Sequence, residues 1–132
     1  MNKIIKYGLV IVKDGKFLIN RKYGTKLFLM PGGKPEAGES IEECLVREIK
    51  EEHEGYLVKA SVKFFGQFED MAANEPDTII SMKVYIGEVQ GILKPSSEIE
   101  EQRWFGREDS IEILSPIIKK QIFPMLLERG II

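Results

Sequence analysis

The chain has 132 residues, 43% of them hydrophobic and 30% charged, which suits one domain with one ordinary core and excludes a disordered, collagen-like or disulfide-stapled chain. A net charge of −2 offers no basic field for a long nucleic acid, and one histidine (His53) with one cysteine (Cys44) excludes multi-imidazole and cysteine-rich zinc sites. The lone thiol fits a reducing cytoplasm, the apolar runs Leu9–Val12 and Leu27–Met30 are too short to span a bilayer, and the opening MNKIIKYG lacks a secretory leader pattern.

Ile4–Val12 is apolar and β-branched and predicts a buried strand. Lys13-Asp14-Gly15-Lys16 predicts a hairpin turn and Phe17–Lys22 its return strand, ending in Arg21 and Lys22, which either reach phosphates or remain solvated strand-end charges. Lys26–Met30 predicts a short strand before Pro31-Gly32-Gly33, and Lys34–Glu39, with Pro35 and Gly38, a loop. Ser40-Ile41-Glu42-Glu43 fits a capping box opening a helix that Gly55 would stop. Leu57–Phe68 and Thr78–Val89 predict long strands around a polar Glu69–Asp77, and Gln102–Phe105 one more. Ser115 as N-cap, Pro116 at the first helical position and Gly130 as a stop bracket a last helix, Pro116–Arg129, kinked at Pro124. The order predicts an α/β (α+β) sandwich with a mixed β-sheet.

The first helix is unusually acidic. Residues 36–54 hold eight glutamates against Arg47 and Lys50, a local charge of −6. At about 100° per residue, Glu48, Glu51 and Glu52 share one arc of about 100°, and Glu52 falls between Ile41 and Leu45 on the packed side. Solvated acids belong opposite the apolar stripe, and like charges four apart destabilise a helix. Arg47 can pair with Glu43 or Glu51 but cannot neutralise the set; a divalent cation can, and carboxylates are hard donors suited to Mg²⁺ or Mn²⁺. The Pro31-Gly32-Gly33-Lys34 loop lets backbone approach a ligand closely just ahead of this helix. His53 is expected at the helix surface, Cys44 in its core without a base to activate it, and Trp104 and Phe105 in the core rather than on a base-stacking platform. Phe28, Phe68 and Tyr85 are unranked candidates for contact with a base.

These residues carry a resemblance. Five residues separate Gly33 from Glu39 and seven separate Glu39 from Arg47, after which the chain reads Arg47-Glu48-Ile49-Lys50-Glu51-Glu52. With the preceding Leu29-Met30-Pro31-Gly32, this resembles the signature of the Nudix hydrolases. One departure stands out: the signature glycine two residues after the glutamate pair is Glu54, with Gly55 one later. Either the helix runs one residue longer or Glu54 takes a left-handed cap at a cost of about 1 kcal/mol.

The resemblance implies a single domain over residues 1–132 with the Nudix α/β/α sandwich. It implies Mg²⁺-dependent hydrolysis (Mn²⁺ as substitute) of the pyrophosphate linkage of a nucleoside diphosphate derivative, foremost a (d)NTP-type nucleotide giving NMP and pyrophosphate. Glu51 and Glu52 would be metal ligands with the Gly32 carbonyl, and Glu48 a ligand or the general base. Arg47 and Glu39 would pair beside Gly33 to hold the loop on the helix. Lys34 would contact phosphate, and Glu98, six residues before Trp104, is the candidate for a further carboxylate, weighed against a solvated acidic loop; Glu101 reads as a structural partner. The last-helix stretch Pro116–Gln121 lacks the asparagine of 8-oxoguanine-cleaning relatives, with Gln121 as a substitute. Expected partners are a small nucleotide, no membrane and no long nucleic acid, in a monomer or homodimer. The alternative is a non-catalytic Nudix-fold nucleotide sensor, a class that usually loses one of the three glutamates kept here.

Overall fold

The computed structural model describes residues 1–132. Strand β1 (Asn2–Val10) turns through β2 (Val12–Lys13) into β3 (Lys16–Lys22). Asp14 (φ 51°) and Gly15 (φ 74°) make the predicted tight turn, since two successive positive φ values match the twist of a hairpin. Next come β4 (Gly32–Gly33), helix α1 (Ile41–His53), β5 (Tyr56–Leu57), β6 (Lys63–Met71), β7 (Thr78–Ile86), β8 (Val89–Gln90), β9 (Ile99–Phe105) and a closing helical segment whose last part is α2 (Phe123–Glu128). One sheet has the order β4-β1-β7-β6, with β1 and β7 parallel and the other pairs antiparallel. A second, antiparallel sheet is β2-β3-β9, and β5 pairs with β8.

Alternation along the strands divides the core in two. Leu9, Ile11 and Leu18 pack on Leu45 and Ile49 of α1, whereas Val10, Phe17 and Ile19 face the C-terminal helical segment with Ile118, Ile122 and Leu126. The mixed sheet and its antiparallel partner thus lie between two helical layers, as the predicted sandwich requires. No helix is long and apolar enough to cross a membrane.

Several boundaries differ from expectation. The first half of β1 is largely exposed, Ile5 included, because β4 covers this strand only at Tyr7 and Gly8. Lys26–Met30 is not a strand. Phe28 and Leu29 make single bridges to Leu114 and Asn20, so this stretch ties β3 to residues 113–115, while the strand forms at Gly32–Gly33. The long strand expected at Leu57–Phe68 is broken by a turn of 3₁₀-helix at Lys59–Ser61, where Ser61 Oγ donates to the Val58 carbonyl. β6 then runs on to Met71, into the stretch expected to separate the strands. In the last segment Pro124 lacks the N–H a regular helix needs, and the chain responds with a π-turn at Ile118–Ile122, closed by Phe123 N–H to the Ile118 carbonyl, instead of a simple kink.

Candidate active site

Helix α1 begins as its sequence predicts. Ser40 Oγ accepts from Glu43 N–H (3.1 Å) and Glu43 Oε1 accepts from Ser40 N–H (2.9 Å), which commits Glu43 to the cap and removes it as a partner for Arg47. The helix ends at Glu54 in the left-handed conformation (φ 56°), the second of the two alternatives. Gly55 is therefore not the left-handed stop. It is glycine for space, because a Cβ there would lie 2.5 Å from Leu93 Cδ2 and 2.7 Å from Val89 Cγ1.

The Pro31-Gly32-Gly33 segment is pinned to β1. Leu9 N–H donates to the Pro31 carbonyl, and Gly32 lies opposite Gly8. At Gly32 φ is 132° and a Cβ would fall 2.0 Å from the Tyr7 carbonyl oxygen; at Gly33 a Cβ would fall 2.7 Å from Glu48 Cδ. The glycine pair thus admits both the neighbouring strand and the acid that approaches from the helix.

Arg47 organises the acids. Its Nε and Nη2 bind Glu39 as a fork (2.6 and 2.9 Å), Nη2 also donates to the Lys34 carbonyl (3.1 Å), and Nη1 reaches Glu48 (2.6 Å) and Glu51 (3.4 Å). This fork holds the Glu39 carboxyl down at about 2. Glu52 is 4% exposed and takes a hydrogen bond from Gly32 N–H (3.0 Å), yet burial, with Glu48 and Glu98 nearby, pushes it up to about 8. Glu48, 9% exposed, is raised by burial against the pull of Arg47. Glu51 parts company with them: its side chain is 52% exposed. The shared arc therefore resolves into two buried acids and one outward acid, and no three acids converge as a ready-made ion cage. The donor set still fits a hard divalent cation, because two buried carboxyls lie near Glu98 and only Glu48 is in direct contact with a cationic side chain, Arg47.

A cavity of about 370 Å³ opens over these acids and includes Gly32, Gly33, Lys34, Arg47, Glu48, Glu52 and Glu98 in its wall. Glu98 is exposed, 3.7 Å from Lys22, which also lines the cavity. Arg21 does not line it. The guanidinium is held by Glu100 (2.7 Å), Glu101 (3.2 Å) and the Thr25 carbonyl (2.8 Å), so the expected phosphate contact becomes a strand-end clamp. Gln121 binds the Glu69 carbonyl (2.6 Å) and lies outside the cavity, as do Phe28, Phe68 and Tyr85. Phe105 is buried in the core, and Trp104 packs on the α1 side under the Lys13 ammonium. Cys44 is buried, which pushes its thiol up to about 12.

His53 corrects the surface expectation: it is fully buried. Asn20 of β3 and Gln102 of β9 are cross-strand neighbours, and the ring bridges them. Gln102 Nε2 donates to the Leu93 carbonyl (2.9 Å), so Gln102 Oε1 must accept from His53 Nδ1 (2.7 Å); His53 Nε2 then accepts from Asn20 Nδ2 (2.9 Å). Burial lowers the pKa and keeps the ring neutral.

Three cavity residues escaped sequence reasoning. Lys6 sits mid-strand in an apolar run; burial, then Lys22, lowers its pKa. A lysine inside an otherwise apolar strand was the available signal. Asn20, amid the apolar β3, is a second such break, and Ser115 was read as a cap.

A profile of the NUDIX domain matches residues 5–126. The ADP-ribose pyrophosphatase of Methanocaldococcus jannaschii is 31% identical over 99 residues, 73% of this chain and 57% of that protein, so the chain spans little more than half the length of this curated relative. A NUDIX hydrolase structure from Nitrosomonas europaea superposes with a TM-score of 0.78 at 20% identity, covering 98% of this chain and 90% of that one. A MutT protein from Methanosarcina mazei superposes at 0.76 with 23% identity, covering 97% and 96%. With the glycine pair, the Glu39–Arg47 fork and the buried glutamates on one loop-helix unit, and with the profile running across nearly the whole sequence, this chain belongs to the Nudix family.

Proposed function

We propose that the chain hydrolyses the pyrophosphate linkage of a nucleoside diphosphate derivative, with Mg²⁺ as cofactor and Mn²⁺ as a substitute. The observation that carries this is the pairing, in one cavity, of buried Glu48 and Glu52 with Lys6, Lys22 and Lys34. Acids that need a cation beside cations that need an anion suit a metal-bound polyphosphate.

Glu48, Glu51, Glu52 and the Gly32 carbonyl would hold the ion. Bound there, a divalent ion neutralises phosphate charge and polarises a water. Glu52 must lose its proton to serve, and its Gly32 N–H bond favours the ionised form. Glu48 must leave the Arg47 guanidinium to bind metal or accept a proton from water. Arg47 is a positioning residue, with both ends of its fork already occupied. Lys34, Lys22 and Lys6 would bind the phosphate chain and stabilise the leaving phosphate, and Glu98, on the same cavity wall and 3.7 Å from Lys22, would join the site once Lys22 turns to substrate.

The substrate we favour is a (d)NTP-type nucleotide giving NMP and pyrophosphate. Because the archaeal relative is an ADP-ribose pyrophosphatase, ADP-ribose is the first competitor. Product release from a panel of nucleoside triphosphates and ADP-ribose, with Mg²⁺ and with EDTA, tests this: release is expected with metal alone, and turnover that survives EDTA overturns it. The lone buried thiol also suits a reducing compartment such as the cytoplasm.

A further inference from the structure

The cations of the cavity are not equivalent. Arg47 is engaged by Glu39 and Glu48, and Lys22 lies 3.7 Å from Glu98. Lys6 and Lys34 line the same cavity, and neither ammonium has an ion pair or a hydrogen bond. The backbone brings these two together. Tyr7 pairs with Gly33 where β1 meets β4, and one step on from that pair Lys6 and Lys34 come next along the two antiparallel chains. Both are anchored: Lys6 lies opposite Met82 in the β1–β7 ladder, and Arg47 Nη2 holds the Lys34 carbonyl (3.1 Å). Lys6 shares a face of β1 with Gly8, two residues on, where a Cβ would lie 2.8 Å from Met82 Sδ. Its half-buried stem therefore rises from an apolar floor that includes Ile80 and Met82. Burial, then the charge of Lys22, disfavours the ammonium, and Lys34 adds to this against the pull of Glu75 in the turn between β6 and β7.

We propose that Lys6, beside Lys34, binds a terminal, doubly charged phosphate, and that Lys6 thereby selects substrates with an uncapped phosphate end over diphosphates capped on both sides. The inference rests on the hydrolysis proposed above and decides between its two leading substrates. An end phosphate, like a phosphate monoester, carries about −1.5 to −2 at neutral pH. A phosphate bridged on both sides carries a single charge, and ADP-ribose has only phosphates of that kind. Two neighbouring ammonium groups without acids repel each other, which works against the fold. One dianion between them offsets both charges, whereas a singly charged phosphate leaves one of them uncompensated. Partial removal of Lys6 from water strengthens its attraction for such a group, because the surroundings screen it less. A lysine in an otherwise apolar strand, with no acid to pair with, is thus explained by the ligand rather than by the fold.

The test is Lys6→Met, which keeps the length of the stem and removes its charge, with Lys6→Arg to restore the charge. Both are compared with wild type by calorimetric titration in Mg²⁺. The ligands are the α,β-imido deoxynucleoside triphosphate that wild type binds tightest among the four common bases, and the same compound methylated on its γ-phosphate. In wild type the methyl cap is expected to weaken binding about tenfold. In Lys6→Met the uncapped ligand is expected to lose about as much, and the cap then to cost less than about threefold, because cap and substitution remove the same interaction. Lys6→Arg should recover the cap effect, and the Tm of Lys6→Met should hold or rise, since a half-buried unpaired charge is removed. An undiminished cap effect in Lys6→Met, no recovery in Lys6→Arg, a lower Tm, or no binding of any of the four triphosphates would overturn the assignment. Turnover of ADP-ribose but of no triphosphate, unchanged in Lys6→Met, defeats it while sparing pyrophosphate-linkage hydrolysis. Cap-sensitive binding that depends on Lys6, without product release, defeats hydrolysis and leaves the Lys6 assignment standing.

Discussion

Glu52 is the residue on which the site turns. It is buried beside Glu48, faces Glu98, and has one compensating bond, from Gly32 N–H. Glu52→Gln keeps that acceptor and removes the charge. Turnover is expected to fall by orders of magnitude while circular dichroism and Tm in EDTA at pH 8 show no loss; near-wild-type rates would mean that the ion is held elsewhere. Gln102 controls His53 from one bond away. Its amide is oriented by a main-chain carbonyl, so one fixed acceptor sets the tautomer of the ring and the direction of Asn20. Gln102→Leu leaves His53 Nδ1–H buried without a partner, and the expected cost is about 1–3 kcal/mol in urea unfolding.

At the scale of the element, α1 is held by its flanks. Arg47 ties the incoming loop to the helix through Glu39 and the Lys34 carbonyl. Arg47→Lys cannot reproduce the fork, and a loss of about 2 kcal/mol is expected, with a raised metal requirement because the loop carrying Gly32 is less fixed. The helix exit gives a paired prediction. Glu54→Gly relieves a left-handed side-chain conformation and should raise stability by about 0.5–1 kcal/mol. Gly55→Ala should lower it, because the new Cβ meets Leu93 and Val89. Should the two variants shift the urea midpoint in the same direction, the cap geometry is not the one described.

For the whole molecule, pH reports how these buried groups are balanced. Glu52 is raised from the ordinary 4.5 to about 8, so the native state binds its proton more tightly than the unfolded chain. Its contribution is fully present below 4.5 and is lost as pH rises through 8. His53 is lowered from 6.5, so its contribution is present above 6.5 and is lost as pH falls. The two slopes oppose each other below 6.5, whereas between pH 6.5 and 8 that of Glu52 is the larger. In EDTA, Tm is expected to fall over pH 6.5–8 in wild type and to fall less in Glu52→Gln. Saturating Mg²⁺ should remove or reverse the wild-type fall, because the ion binds the ionised carboxylate.

The order of elements along the sequence determined the sandwich, and the family resemblance, not periodicity, carried the Glu39–Arg47 pairing. The capping box, the hairpin turn and the inward turn of Glu52 follow from spacing along one element, where local geometry alone decides direction. Tertiary structure decided what depends on neighbours distant in the chain. His53 is buried because β3 and β9 bring Asn20 and Gln102 side by side. Arg21 leaves the cavity because Glu100 and Glu101 lie across the ladder from it. Gly32–Gly33 forms the strand that Lys26–Met30 was expected to form, because Gly32 carries no Cβ to strike the Tyr7 carbonyl oxygen of β1. Lys6, Asn20 and Ser115 meet in one cavity from three separate segments, and no local pattern encodes a meeting that only packing brings about.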